Sequence, residues 1–158
     1  LMEIQLVCFG KTDRSFWSDA IVEYQKRLRY YIKFSIIYIP DIKVSKKVDP
    51  IKIKMEQSKL LLQKLKTTDN VILLDEKGES FNSNAFSEEI KNYMIKGKKK
   101  IIFIIGGAYG FSNELYQKFP KRIALSKMTF SHQMVRLFFC EQLYRSFTII
   151  NNHPYHNN

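Results

Sequence analysis

Short, continuously apolar segments alternate along this chain with longer segments in which apolar residues recur at helical spacing. Strands that are apolar on both faces are typical of parallel sheets, because crossover helices cover both faces of such sheets. The sequence therefore predicts an α/β fold with a mostly parallel sheet and helices on both faces. The predicted strands are residues 4–9, 34–39, 71–74, 101–105 and 122–125.

Helix-start signals place the segments between these strands. Ser15 is predicted to cap the first helix, and Asp49 followed by Pro50 predicts the start of the second, since proline suits the first helical position. The predicted helices are residues 15–28, 50–66, 83 or 84–94, 113–118 and 131–150, followed by a polar tail at 151–158. Residues 77–79 predict a turn. No linker or repeat interrupts the pattern, which predicts a single domain over residues 1–158.

An excess of basic residues gives the chain a formal net charge of +11. Such a surplus favours a polyanionic partner, nucleic acid or an anionic membrane, although a basic enzyme of small molecules carries the same charge. The longest apolar runs fall far short of the roughly 20 residues needed to span a bilayer, and no secretory signal opens the sequence. We therefore expect a cytoplasmic protein without membrane association. Cys8 and Cys140 lack metal-ligand spacing, so we expect buried free thiols and no metal site.

A buried-looking strand at 101–105 runs into a glycine-rich turn at 106–110. In parallel sheets, ligands bind outside the carboxyl ends of the strands, and glycine allows the backbone to approach them closely. The glycines fall as G-G-x-x-G, which matches neither the dinucleotide-binding pattern nor a phosphate-binding P-loop. The strand at 71–74 ends in Asp75 and Glu76, which form either a second wall of the same pocket or a structural turn.

A third strand end leads into the helix at 131–150. His132, Gln133 and Arg136 fall on one arc at the start of this helix, where unpaired N–H groups favour electron-rich ligands. The helix is apolar nearly all the way round. We therefore expect it to be buried in the core or against a second subunit.

Two further groups lie near the carboxyl end of the sequence. Glu141 and Arg145 are spaced for a simple i,i+4 ion pair, or else belong to a site. Tyr155 and His156 follow Pro154, which stiffens this segment. The tail either folds over a pocket or is inert.

Several motifs together resemble one known family. They are IGGAYG at 105–110, LSKMTFSHQMVR at 125–136, EQLYR at 141–145 and PYH at 154–156. CFGK at 8–11 and YQKRL at 24–28 also fit, so that the resemblance covers essentially the whole chain. The family is that of ribosomal RNA large subunit methyltransferase H, small bacterial enzymes of the SPOUT class.

The resemblance implies S-adenosylmethionine as methyl donor and N3-methylation of a pseudouridine in the 23S rRNA of the assembled ribosome. It also implies a homodimer and a SPOUT-type fold with a C-terminal trefoil knot. By motif, the cofactor-binding residues are Leu74, Gly106, Leu125, Ser126, Lys127, Met128, Thr129 and Phe130.

Methyl transfer of this kind requires an aligned acceptor nitrogen and help in removing its proton. We expect Arg136 to stabilise the developing anionic base and His132 to accept or relay the proton. Tyr155 and His156 are expected to close the site and position the base.

Basic residues at 43–54 and 96–100 are the candidates for contact with rRNA phosphates. Two other functions compete with methyl transfer. A nucleotide-binding dehydrogenase is disfavoured, because the GxGxxG pattern is missing and no acidic residue ends the strand at 122–126. A non-catalytic ribosome-binding or RNA-binding module explains the charge but leaves the convergent strand-end loops without a role.

Overall fold

The computed structural model describes residues 1–42 and 49–157 of the chain. Within them, strands and helices alternate as the apolar pattern predicts. The strands are β1 (Glu3–Phe9), β2 (Lys33–Ile39), β3 (Asn70–Ser80), β4 (Lys100–Ile105) and β5 (Arg122–Ala124). The helices are α1 (Ser15–Leu28), α2 (Pro50–Lys64), α3 (Ser83–Ile95), α4 (Asn113–Lys118) and α5 (His132–Ile150).

The strands form a five-stranded sheet in the order β2-β1-β4-β3-β5, and every neighbouring pair is parallel. Their carboxyl ends therefore lie at one edge of the sheet. Because β4, β3 and β5 are neighbours, the loops that follow them leave this edge side by side. The predicted α/β class with a parallel sheet is confirmed, whereas the C-terminal trefoil knot stays a prediction.

Two apolar cores flank the sheet, since the side chains of a strand point alternately to its two faces. One core packs the sheet against α1, α3 and α5, and its centre holds Phe103 and Phe139 with ring centroids 4.7 Å apart. The other packs the opposite face against α2 and α4 through Leu61 and Leu115. Helices thus cover both faces, as predicted.

The turn predicted at 77–79 is wrong, because β3 continues through this segment. After a register shift that begins at Leu74, Glu79 pairs with Ile123 of β5. A side chain at Gly78 would lie 2.7 Å from the backbone of β5. This glycine therefore permits close approach of two strands, which is one of the roles of glycine within a sheet.

Side-chain caps fix where four of the helices begin, among them α2 and α5. Asp49 accepts a hydrogen bond at 3.0 Å from a backbone N–H in the first turn of α2, and Ser131 accepts one at 3.2 Å in α5. Ser15 was predicted to cap α1 but is its first residue instead. Arg14 holds the cap position there without a side-chain hydrogen bond.

Cys8 of β1 and Cys140 of α5 are buried free thiols in the core between the sheet and α5, as expected. Burial raises the pKa of Cys8 to about 11, so that its thiol stays protonated at neutral pH. None of the helices in the described ranges has the length and apolar character needed to cross a membrane.

Candidate active site

The part of β3 that begins at its last pair with β4, together with the loops that follow β4 and β5, encloses a cavity of about 680 Å³ at the carboxyl edge of the sheet. Small-molecule sites typically have volumes of roughly 300–1,000 Å³. The lining consists mainly of residues 74–77, 105–111 and, apart from Lys127, 125–132. These segments are separate patterns in the sequence, and the fold joins them because their strands are neighbours. We call this space the first cavity.

The wall nearest the sheet is apolar and closely packed. Leu74 and Ile105 are buried ends of their strand segments, and Phe111 follows the glycine-rich turn. A Cβ atom at Gly106 would lie 3.2 Å from the Phe111 ring, which is tighter than ordinary contact. Glycine at this position therefore lets the turn pack against the ring and leaves the backbone without a covering side chain.

Two carboxylates line the first cavity, and each accepts a hydrogen bond from a hydroxyl group. Tyr116 of α4 donates to Asp75, and Thr129 donates to Glu76. Asp75 also accepts from the backbone N–H of Lys77 at 2.9 Å, so its carboxylate is held within β3 and forms a wall of the pocket. Burial, followed by the hydrogen bond to Asp75, raises the pKa of Tyr116 to about 12, and its hydroxyl stays protonated at neutral pH.

The start of α5 contributes His132 and Val135 to the first cavity. The same turn is fastened to the loop after β1. Gln133 accepts a hydrogen bond from the backbone of Asp13 and donates one to the backbone of Lys11, both at 3.2 Å. These two hydrogen bonds to the loop after β1 therefore help to hold the neighbouring His132 at the first cavity.

Arg136 is not among the residues that line the first cavity. It is 1% exposed and donates to the carbonyl oxygens of Phe9 at 2.7 Å and Gly10 at 3.0 Å. A third bond, at 3.3 Å, reaches the hydroxyl of Thr12. The shared helical arc of His132 and Arg136 therefore separates in the fold: the histidine lines the cavity, and the guanidinium holds the end of β1.

The C-terminal tail packs against α1 and α5. Tyr155 donates to Glu141 at 3.1 Å and shares a 3.3 Å hydrogen bond with the hydroxyl of Tyr24. Arg145 forms the ion pair with Glu141 that the i,i+4 spacing predicts, and it donates to Nδ1 of His156 at 3.1 Å. We call these five residues the tail cluster.

A second cavity, also of about 680 Å³, lies between the tail cluster and the first cavity. Glu141 and Arg145 are part of its lining. Leu125, Ser126 and Phe130 line both cavities. Glu141 and Arg145 of the tail cluster therefore line the same cavity as residues of the loop after β5. Tyr155 and His156 line neither cavity.

The fold brings most of the predicted site residues together. The first cavity is lined by His132 and by the predicted cofactor residues Leu74, Gly106, Leu125, Ser126, Met128, Thr129 and Phe130. Four predicted residues lie outside the lining. They are the exposed Lys127, the buried Arg136, and the half-buried Tyr155 and His156.

Two lining residues, Asn113 and Tyr116, escaped the sequence analysis. Both lie on α4, which begins directly after the glycine-rich turn. The short length of the helix was a signal for them in the sequence. A helix of six residues keeps all of its side chains near the loop that precedes it.

The structure describes all of the basic segment 96–100 but only residues 49–54 of the basic segment 43–54. Residues 96–100 connect α3 to the start of β4 and so lie at the amino edge, opposite the first cavity. This position argues against contact with RNA bound at that cavity. Residues 43–48 of the other segment lie outside the described residues, while Lys54 lines the first cavity.

Comparison with known proteins agrees with this geometry. The family model described as "Predicted SPOUT methyltransferase" matches residues 2–156. The chain is 52% identical over 156 residues to a protein of Christiangramia forsetii named "Ribosomal RNA large subunit methyltransferase H", with 99% of each chain covered. Proteins with the same name from Flavobacterium johnsoniae and Parabacteroides distasonis are 51% and 46% identical, again over 99% of both chains.

A solved methyltransferase structure from Legionella pneumophila, with bound SAM, is more distantly similar. The sequences are 11% identical, the TM-score is 0.48, and the match covers 90% of this chain and 65% of that one.

Proposed function

The chain belongs to the SPOUT methyltransferase family, and from this premise we propose that it transfers a methyl group from S-adenosylmethionine to large-subunit ribosomal RNA. On the motif resemblance, the proposed acceptor is N3 of a pseudouridine in the 23S rRNA of the assembled ribosome, which is a cytoplasmic substrate. The observation that carries the proposal is the convergence of residues 74–77 of β3 and the loops after β4 and β5 around one cavity. The net charge of +11 fits an RNA partner.

The lining of the first cavity suits S-adenosylmethionine, which supplies an activated methyl group when bound. Leu74 and Phe130 offer apolar contact for an adenine ring, while Asp75 and Glu76 offer acceptors for ribose hydroxyls or an ammonium group. We propose that Gly106 and residues 125–130 complete the site through backbone groups. Lys127, whose side chain is exposed, contributes in this way.

Gly106→Val is expected to weaken binding of S-adenosylmethionine by at least about tenfold, because a branched side chain collides with the Phe111 ring and occupies ligand space. Calorimetric titration measures the effect. Gly97→Asn is the control, since Gly97 lies at the amino edge with open space around its Cβ position and asparagine tolerates its positive φ. Unchanged affinity in a folded Gly106→Val protein removes this residue from the site.

The reaction requires the acceptor nitrogen to be held in line and to lose its proton. His132 lines the first cavity at the start of α5 and is the proposed proton acceptor or relay. Tyr155 and His156 are proposed to position the base through the tail cluster, which borders the second cavity. Arg136 is proposed to act at a distance, by fixing the start of α5 to the end of β1.

We also propose a homodimer that forms partly on α5. The helix buries Phe139, Leu143 and Phe147 against the sheet, yet Phe138 on another of its faces is only half-buried in the single chain. A helix that is apolar on several faces needs more cover than one sheet provides. A single-chain mass by light scattering at micromolar concentration would contradict the dimer.

Methyl transfer from radiolabelled S-adenosylmethionine tests the proposed function. Whole ribosomes that lack the modification, isolated large subunits and free 23S rRNA serve as parallel substrates. We expect label in the 23S rRNA of whole ribosomes, and digestion followed by mass spectrometry should place it on N3 of a pseudouridine. Ribosomes that bind the protein in a salt-dependent manner without acquiring label would favour a non-catalytic ribosome-binding module instead.

A further inference from the structure

Three lysines from three different elements stand around the first cavity. Lys54 of α2 and Lys77 of β3 are part of its lining, and Lys127 is exposed between the lining residues Ser126 and Met128. None of their three ammonium groups forms an ion pair within residues 1–42 and 49–157. We call them the rim lysines.

Three of the lysines at the amino edge of the sheet are instead neutralised by carboxylates. The pairs are Lys33 with Glu3 at 3.6 Å, Lys100 with Asp69 at 3.8 Å and Lys121 with Glu89 at 2.7 Å. At the first cavity the carboxylates of Asp75 and Glu76 are instead held by hydroxyl groups. The positive charge of the rim lysines is therefore available to an anionic partner.

We propose that the rim lysines bind the backbone phosphates on either side of the target nucleotide and so hold the RNA over the first cavity. An ammonium group is a compact charge with three donors and suits a phosphate oxygen. Phosphate contacts of this kind fix position without reading base sequence. The inference rests on the proposed function, because it assumes that the nucleotide to be methylated enters this cavity.

The test compares two triple substitutions that remove the same charge. One protein carries Lys54→Gln, Lys77→Gln and Lys127→Gln. The control carries substitutions of three lysines from the amino-edge segment, Lys96→Gln, Lys98→Gln and Lys99→Gln, which are exposed and equally free of ion pairs in the described part of the chain. Binding to whole ribosomes is measured between about 50 and about 200 mM salt, a range over which phosphate contacts weaken strongly.

We expect the rim substitutions to weaken ribosome binding by at least about tenfold and to reduce the slope of log affinity against log salt by about 2, the value for three single-strand phosphate contacts. The control should change affinity less than about twofold. Equal losses in both proteins, or no loss in the rim protein, would overturn the inference. Calorimetric titration measures the affinity of both variants for S-adenosylmethionine, and denaturant titration checks that both are folded.

A rim protein that loses S-adenosylmethionine affinity while keeping the wild-type salt slope would also overturn the inference, because the lysines would then serve the methyl donor. The proposed function is judged separately, on methyl transfer by the wild-type protein. If the wild-type protein transfers no methyl group but the two triple variants still differ in ribosome affinity as expected, the catalytic proposal is rejected and the phosphate contacts are retained.

Discussion

Removing residues 155–158 is expected to lower the single-turnover rate of methyl transfer by roughly a hundredfold, the scale of one lost transition-state contact. The deletion removes the hydroxyl that donates to Glu141 and the imidazole that accepts from Arg145. Both partners border the second cavity, so their orientation toward a bound base should be lost. Affinity for S-adenosylmethionine should change little, because the lining of the first cavity is intact.

A chain that ends at His156 is the matched control, since it keeps Tyr155 and His156 and should retain most of the rate. Rates are measured with saturating S-adenosylmethionine and ribosomes, and unfolding is followed in parallel. A near-normal rate in the longer deletion would limit Tyr155 and His156 to packing against α1 and α5. A rate that returns to the wild-type value once a higher S-adenosylmethionine concentration restores saturation would likewise contradict the proposed role.

Arg136→Ala should lower the free energy of unfolding by about 3 kcal/mol, because charge-assisted hydrogen bonds are lost and buried carbonyl groups are left without partners. The guanidinium binds two carbonyl oxygens and one hydroxyl at the end of β1. No carboxylate of the described residues pairs with it, so relief of its desolvation offsets part of the loss. Denaturant titration measures the difference.

Arg29→Ala is the control of the same residue type, since Arg29 is exposed at the end of α1 and its removal should cost less than about 0.5 kcal/mol. If Arg136→Ala left stability within about 1 kcal/mol of wild type while abolishing methyl transfer, Arg136 would have to contact the substrate directly. The motif-based role in stabilising the anionic base would then stand.

The alternation of apolar and helical segments was sufficient to predict the α/β class and to place the candidate site at the carboxyl edge of the sheet. Parallel strands put their carboxyl ends together, so the patterns after 74, 105 and 124 could be assigned to one edge before their order was known. Strand extension beyond Leu74 could not be predicted, because its cause is pairing with β5, which lies distant in sequence. Gly78 resembles a turn residue locally and is a close-approach residue in the sheet.

Side-chain partners from distant segments account for the other differences. Helical spacing groups His132 with Arg136, but the partner of Arg136 is the backbone after β1, more than a hundred residues away in sequence. The tail likewise binds Tyr24 and Glu141, contacts that depend on how α1 and α5 pack. Helical periodicity in the sequence shows which residues share a helix face, whereas the residues that contact this face depend on tertiary packing.

Hydrogen–deuterium exchange with and without saturating S-adenosylmethionine tests most directly whether residues 74–77 of β3 and the loops after β4 and β5 form one methyl-donor site. We predict that residues 74–77, 105–111 and 125–132 gain protection together, at one ligand affinity, while residues 96–100 at the amino edge do not change. Protection confined to one loop, or protection centred away from the first cavity, would contradict the account.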